Sequence, residues 1–212
     1  MPTPQEMLNP LSSSTPSIPG AVPIQQLHHY AYRAKDAEQT RHFYEDILGL
    51  PLYHIIQSDH VPSTGEYCPY THFFFRLVDG SFIAFFDLGD DEAALPSPNT
   101  PIWVNHIAFR VDTQSELERA KERLQAHGVE VLGVTDHHVF KSIYFFDPNG
   151  IRLELTVQTG SKDTMHQESL TAHERLQQWT QRKEAWRAEK AANGSHAKLK
   201  PERNDRPEIS KT

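Results

Sequence analysis

The feature that most constrains this chain is an internal repeat. Two short apolar runs each carry a histidine in a comparable place, His29 in L-H-H-Y-A-Y-R and His106 in V-N-H-I-A-F-R. His29 precedes Gly49 by 20 positions, His106 precedes Gly128 by 22, and further along Gly80 matches Gly150. Each half reads strand, helix, then three strands. A βαβββ unit of this size is too small to bury its own sheet face, so the halves must pair. The expected fold is α+β: two tandem βαβββ modules over about 24–88 and 102–157, within one domain spanning 24–157. They are expected to form one curved eight-stranded sheet with the helices outside and a site in the shared concavity.

Local signals place the elements. In the first unit a strand runs to about Arg33, and Asp36 is placed to cap a helix that Gly49 ends, because glycine takes the left-handed conformation without strain. Strands then fall around Pro51–Gln57, Thr71–Val78 and Phe82–Leu88. A Pro, Ser and Asn loop over 95–101 separates the halves. In the second, Ile102–Val111 is a strand, Thr113 to His127 a helix stopped by Gly128, and Val129–Val134, Val139–Phe146 and Ile151–Val157 are strands. The turn Asp147-Pro148-Asn149-Gly150 joins the last two.

Outside this domain the composition changes. Residues 1–23 are rich in Pro, Ser and Thr and read as a disordered arm, and 193–212 as a disordered charged tail. Between them, 158–192 reads as a helical extension, with Leu176, Trp179 and Trp186 at i, i+3 and i+10 as one narrow apolar stripe. The net charge of −7 and the lack of a basic stripe argue against nucleic acid or an anionic membrane surface as partner. No apolar run approaches the length that spans a bilayer. The single Cys68 forms no internal disulfide and has no neighbouring basic motif, which fits an inert thiol in a reducing cytoplasm.

The chemistry concentrates on three side chains. The stretch I-Y-F-F-D-P-N-G-I-R-L-E-L ends in one carboxylate, Glu154, among apolar neighbours. Two neutral imidazoles and one carboxylate are a ligand set that holds a non-haem ferrous ion on one face and leaves other positions for substrate and dioxygen. Side chains two apart on a strand share a face, so His106, Ala108 and Arg110 go together, and by analogy His29, Ala31 and Arg33. His28 then falls on the helix side.

The runs H-H-Y-A-Y-R-x-K-D, R-H-F-Y-E-D-I-L-G-L, V-N-H-I-A-F-R-V and F-D-P-N-G-I-R-L-E-L resemble the vicinal oxygen chelate superfamily. It includes glyoxalase I, bleomycin-resistance proteins, methylmalonyl-CoA epimerase and the type I extradiol dioxygenases. The resemblance covers about Gln25 to Val157 and implies metal ligands at His29, His106 and Glu154. Glyoxalase I and the epimerase take a fourth ligand, a glutamate, from the place that Ala84 holds here. The three-ligand set that remains resembles that of an extradiol dioxygenase, which implies Fe(II), less often Mn(II), with a planar aromatic diol and O2 as substrates. Those enzymes carry a second-sphere tyrosine ten residues before the ligand glutamate, which is Tyr144. Their hairpin histidine is missing at Asp79-Gly80-Ser81. His137 and His138 offer a replacement acid–base group, parity with Tyr144 favours His138, and His72 is a weaker stand-in. The family also implies a homodimer. A glyoxalase-like lyase or isomerase, or a non-catalytic protein that binds an aromatic compound or antibiotic, are the alternatives.

Overall fold

The computed structural model describes Val22 and residues 24–193. The arm expected over 1–23 and the tail over 193–212 therefore fall outside the described residues, apart from Val22 and the backbone of Asn193.

Among the described residues eight strands form, four per module. In the first module they are β1 (His29–Arg33), β2 (Leu52–His60), β3 (Tyr67–Arg76) and β4 (Phe82–Asp87); in the second, β5 (Ile107–Val111), β6 (Leu132–Asp136), β7 (Phe140–Phe146) and β8 (Arg152–Gln158). Helix α1 (Ala37–Arg41) continues as a π-helical segment over His42–Ile47, and α2 (Gln114–Ala126) is its counterpart. Asp36 caps as expected, accepting from the Gln39 amide at 2.6 Å, and Thr113 forms a reciprocal capping box with Glu116. Gly49 and Gly128 stop the helical segments with φ near +79° and +78°.

Hydrogen bonding joins the strands into two mixed four-stranded sheets, ordered β1-β4-β3-β2 and β5-β8-β7-β6, rather than one continuous ladder of eight. The first strand of each module pairs in parallel with the last, which leaves β1 and β5 as edges. The reason lies in how the modules meet. Their helix-bearing faces share one core, in which Phe73, Phe75, Ile83 and Phe85 from one sheet join Ile143, Phe145, Leu153 and Leu155 from the other.

Polar contacts pin this junction. The buried Tyr44 hydroxyl donates to Asp147 Oδ2 at 3.0 Å, and Asn149 receives the Lys35 amide at 2.8 Å while donating to Thr40 Oγ1 at 3.2 Å. The Arg123 guanidinium donates to the carbonyls of Ile47 and Asp46, both at 2.7 Å, satisfying acceptors that the end of a helical segment leaves orphaned. The D-P-N-G turn thus ties the second module to the first helix of the other. After Thr159 a separate unit begins, whose helix α3 spans Lys162–Asn193.

Candidate metal centre

In the second module the strand register builds a polar row on the sheet face away from the core. Glu154 lies between Ala108 on β5 and Tyr144 on β7, and Thr156 lies beside Ser142. Alternation along β8 sends Leu153, Leu155 and Val157 into the core and leaves Glu154 on the opposite face, yet Glu154 is only 4% exposed. Its carboxylate is held from both sides. The Ser142 hydroxyl donates to Oε1, and His106 Nε2 faces Oε2 at 3.1 Å. The other nitrogen of His106, Nδ1, lies 2.9 Å from the Val104 carbonyl, which can only accept, so Nδ1 carries the proton. Nε2 then points a lone pair at a carboxylate oxygen unless a proton or a cation stands between them. An imidazole whose far N–H is held by a backbone carbonyl is the usual form of a metal-ligating histidine, and this donor set fits a divalent cation.

Tyr144 completes the row. Its hydroxyl meets His137 Nε2 at 2.8 Å, its ring lies edge-on to His106 with centroids 6.2 Å apart, and the Arg152 guanidinium sits 4.4 Å over its face. Burial, and then the nearby charge of Glu154, push the phenol above its ordinary value, so Tyr144 stays a hydrogen-bond donor at neutral pH. Beside it opens a cavity of about 280 Å³ lined by Ile102, Trp103, Leu132, Tyr144, Phe146 and Arg152 among others.

His138 is placed differently from the expectation. It is exposed, takes a left-handed φ of +71°, and its backbone amide donates to Asp136 Oδ1 at 2.7 Å. The alternation that favoured it holds only within a strand, and β7 begins at Phe140, after the bend that carries His138. His137 is the residue that reaches Tyr144. Ser142 also escaped the sequence reading, although its place two residues before Tyr144 put it on the same face.

His29 lies on the equivalent face of the first module. Its neighbours there are aromatic: His28, whose Nδ1 is 2.8 Å from its own Nδ1, and the rings of His72 and Phe74 at centroid distances of 6.1 and 5.6 Å. His28, expected on the helix side, thus lies against His29 outside the strand, which begins at His29. Burial lowers the affinity of His72 for a second proton, and that ring is neutral near pH 7. Within one chain the fold therefore brings together two of the three expected ligands, His106 and Glu154, and sets His29 in a separate cluster. Among the described residues no group of three or more His, Cys, Asp or Glu side chains is arranged to hold a metal ion.

A sequence model of the Glyoxalase/Bleomycin resistance protein/Dioxygenase superfamily matches residues 26–155. Over 158 residues, 74% of this chain and 92% of the relative, the sequence is 27% identical to the metallothiol transferase FosB of Staphylococcus saprophyticus. A shorter match of 53 residues is 38% identical to the Bacillus subtilis protein MhqA, described as a candidate ring-cleaving dioxygenase; it covers 25% of this chain and 17% of that one. Among solved structures, a glyoxalase/bleomycin resistance protein/dioxygenase domain from Frankia superposes with a TM-score of 0.52 at 17% identity, covering 64% of this chain and 99% of that one. That likeness is one of fold.

Proposed function

The chain belongs to the glyoxalase/bleomycin resistance protein/dioxygenase superfamily, and on that basis we propose that it is a divalent-metal enzyme that cleaves a catecholic ring with O2. The ligands are His29, His106 and Glu154, and the ion is Fe(II), with Mn(II) second. Bound there, the cation supplies a chelating site for two adjacent substrate oxygens and an electron-poor centre beside them.

One observation carries the reading. Tyr144, hydrogen-bonded to His137, stands in the same row as Glu154 and edge-on to His106. A phenol backed by an imidazole next to a metal-ligand pair is equipped to hold a substrate hydroxyl and to pass its proton to Nε2 of His137. The walls around it, Trp103, Leu132 and Phe146, suit a flat apolar ring.

Because one chain separates His29 from the other two ligands, the centre is completed between two copies, the first module of one facing the second module of its partner. Edge strands β1 and β5, which carry or adjoin the two histidines, have no neighbour on one side and support such a pairing. A homodimer is therefore part of the proposal.

The test is anaerobic loading of the full chain with Fe(II), then a panel of catechols followed by oxygen uptake and the yellow ring-fission product. Turnover of at least one diol is expected; iron-loaded protein that turns over none sinks ring cleavage. The second reading, favoured by the match along 92% of FosB, is a metal-dependent thiol transfer. Metal-dependent loss of free thiol with an electrophile, and no oxygen uptake with diols, would replace the first reading by this one.

A further inference from the structure

The first module holds donor chemistry that the three-ligand set leaves unused. On its sheet face away from the core one row reads Ala31, Ala84, Phe74, His54, and the next Arg33, Phe86, His72, Ile56. The two alanines present only methyl groups, and Ala84 is fully buried beneath the larger side chains. Over this face the rings of His29, His72 and Phe74 cluster, with His72 6.1 Å from His29 and 4.2 Å from Phe74 between ring centroids. The His72 ring is fixed: it stacks on Phe86 at 3.7 Å, nearly parallel, and its Nδ1 lies 2.9 Å from the Phe85 carbonyl. A carbonyl only accepts, so Nδ1 carries the proton and Nε2 holds a free lone pair. His72 is buried to 7% exposure, yet no buried polar side-chain atom among the described residues lacks a partner. Nε2 makes no hydrogen bond among the described residues, and it is not a buried atom left without a partner.

The equivalent place in the second module is Ser142, whose hydroxyl supports Glu154. The first module has Ala84 where the second has the carboxylate, and an imidazole where the second has the serine. The tautomer lock of His72 is the one seen at His106, a backbone carbonyl on Nδ1 that leaves the lone pair on Nε2.

We propose that His72 is a ligand to the same cation as His29 in the substrate-free centre, so that the first module supplies two imidazoles. The inference rests on the metal-centre reading above. Two imidazoles bound at about 2.1 Å to one ion hold their centroids roughly 4.5 to 6.5 Å apart, and 6.1 Å lies in that range. With His106 and Glu154 the protein would offer four donors to such a cation, fewer than the roughly six that a divalent ion such as Fe(II) or Mn(II) can accept. A chelating diol would find the remaining positions open.

The test uses the full chain loaded with Co(II), with affinity read by calorimetry and the number of bound imidazoles by X-ray absorption. Wild type should show three imidazoles, and His72→Gln two, with affinity lower by about tenfold to 100-fold. His54→Gln, a change on the same face, should keep all three. Two imidazoles in wild type, or loss of the third from the His54 variant instead, overturns the proposal, and the wild-type count decides even if His72→Gln folds poorly. Should His29→Gln and Glu154→Gln also leave Co(II) binding unchanged, the failure lies in the metal-centre reading itself.

Discussion

The two modules share a backbone plan and differ in what they mount on it. Across the first, the central row reads Ala31, Ala84, Phe74; across the second, in the same register, Ala108, Glu154, Tyr144. Both start from a histidine at the head of the first strand. The repeat fixes where side chains stand, and a few substitutions decide which module carries the carboxylate, the phenol and their hydrogen bonds. The polar row of the second module is supported, because Ser142, His106 and Val104 satisfy or face the polar atoms of Glu154 and its imidazole partner. The first has no such support for a charge. Ala84 is fully buried beside Phe74 and Ala31. Restoring symmetry by Ala84→Glu should therefore cost about 4 kcal/mol in urea unfolding of metal-free protein, as an uncompensated buried charge does. A cost under about 1 kcal/mol would mean that the first module can solvate a carboxylate, and the asymmetry would lose its physical basis.

The next effect concerns which copies share a centre. His29→Gln and Glu154→Gln should each weaken metal uptake by about 100-fold, near 2.7 kcal/mol. Mixed and allowed to exchange, the two inactive variants should recover roughly a quarter of wild-type sites, because each mixed dimer pairs one intact first module with one intact second module. No recovery would place all three ligands within one chain and remove the division of labour between copies.

A third difference lies in the turns. Where the second module has Asp147, the first has Leu77, although both residues donate their amide to the carbonyl four positions on. Asp147 accepts from the amides of Asn149 and Ile151 and from the Tyr44 hydroxyl of the other module. Asp147→Ala strands these buried donors and should cost about 2 kcal/mol. Burial pushes the Asp147 carboxyl above its ordinary value, further than its hydrogen bonds pull it down. A carboxyl raised on folding stabilises the fold below its unfolded value, and that contribution fades as pH rises through the folded one. Thermal melts should therefore show the advantage of wild type over Asp147→Asn shrinking as pH rises above the ordinary carboxylate range. A gap that widens with pH would reverse the assignment.

Much of this was legible before any coordinates. The repeat, the Asp36 cap, the glycine stops and the face shared by Ala108 and Arg110 follow from local rules, because period-two alternation and left-handed glycines depend on neighbours in sequence. The two-module α+β fold followed from them. What sequence could not supply was how the modules face each other. The shared core of Phe75, Phe85, Phe145 and Leu153 sets the sheets back to back, and no local pattern encodes that choice. For the same reason two of the proposed ligands, His106 and Glu154, meet in the chain while His29 stands elsewhere.

The smallest effect separates two adjacent histidines. Parity counted back from Tyr144 favours His138, but the count crosses a bend in which His138 takes φ near +71° and turns out to solvent. His137, on the other side of that bend, puts Nε2 2.8 Å from the Tyr144 hydroxyl and its ring 4.9 Å from Phe140. The first module has Phe74 at the place of Tyr144 and hence nothing for a histidine to relay. If the phenol and imidazole act together, His137→Gln should lower turnover about tenfold, or 1.4 kcal/mol, with metal affinity unchanged, since glutamine keeps a hydrogen bond and loses the proton acceptor. His138→Gln should leave turnover at the wild-type value. Tyr144→Phe makes the second module like the first, and combining it with His137→Gln should cost little beyond either change alone, because each breaks the same link. Fully additive losses would show that the two residues act apart, and the contrast between the modules would then rest on Glu154 alone.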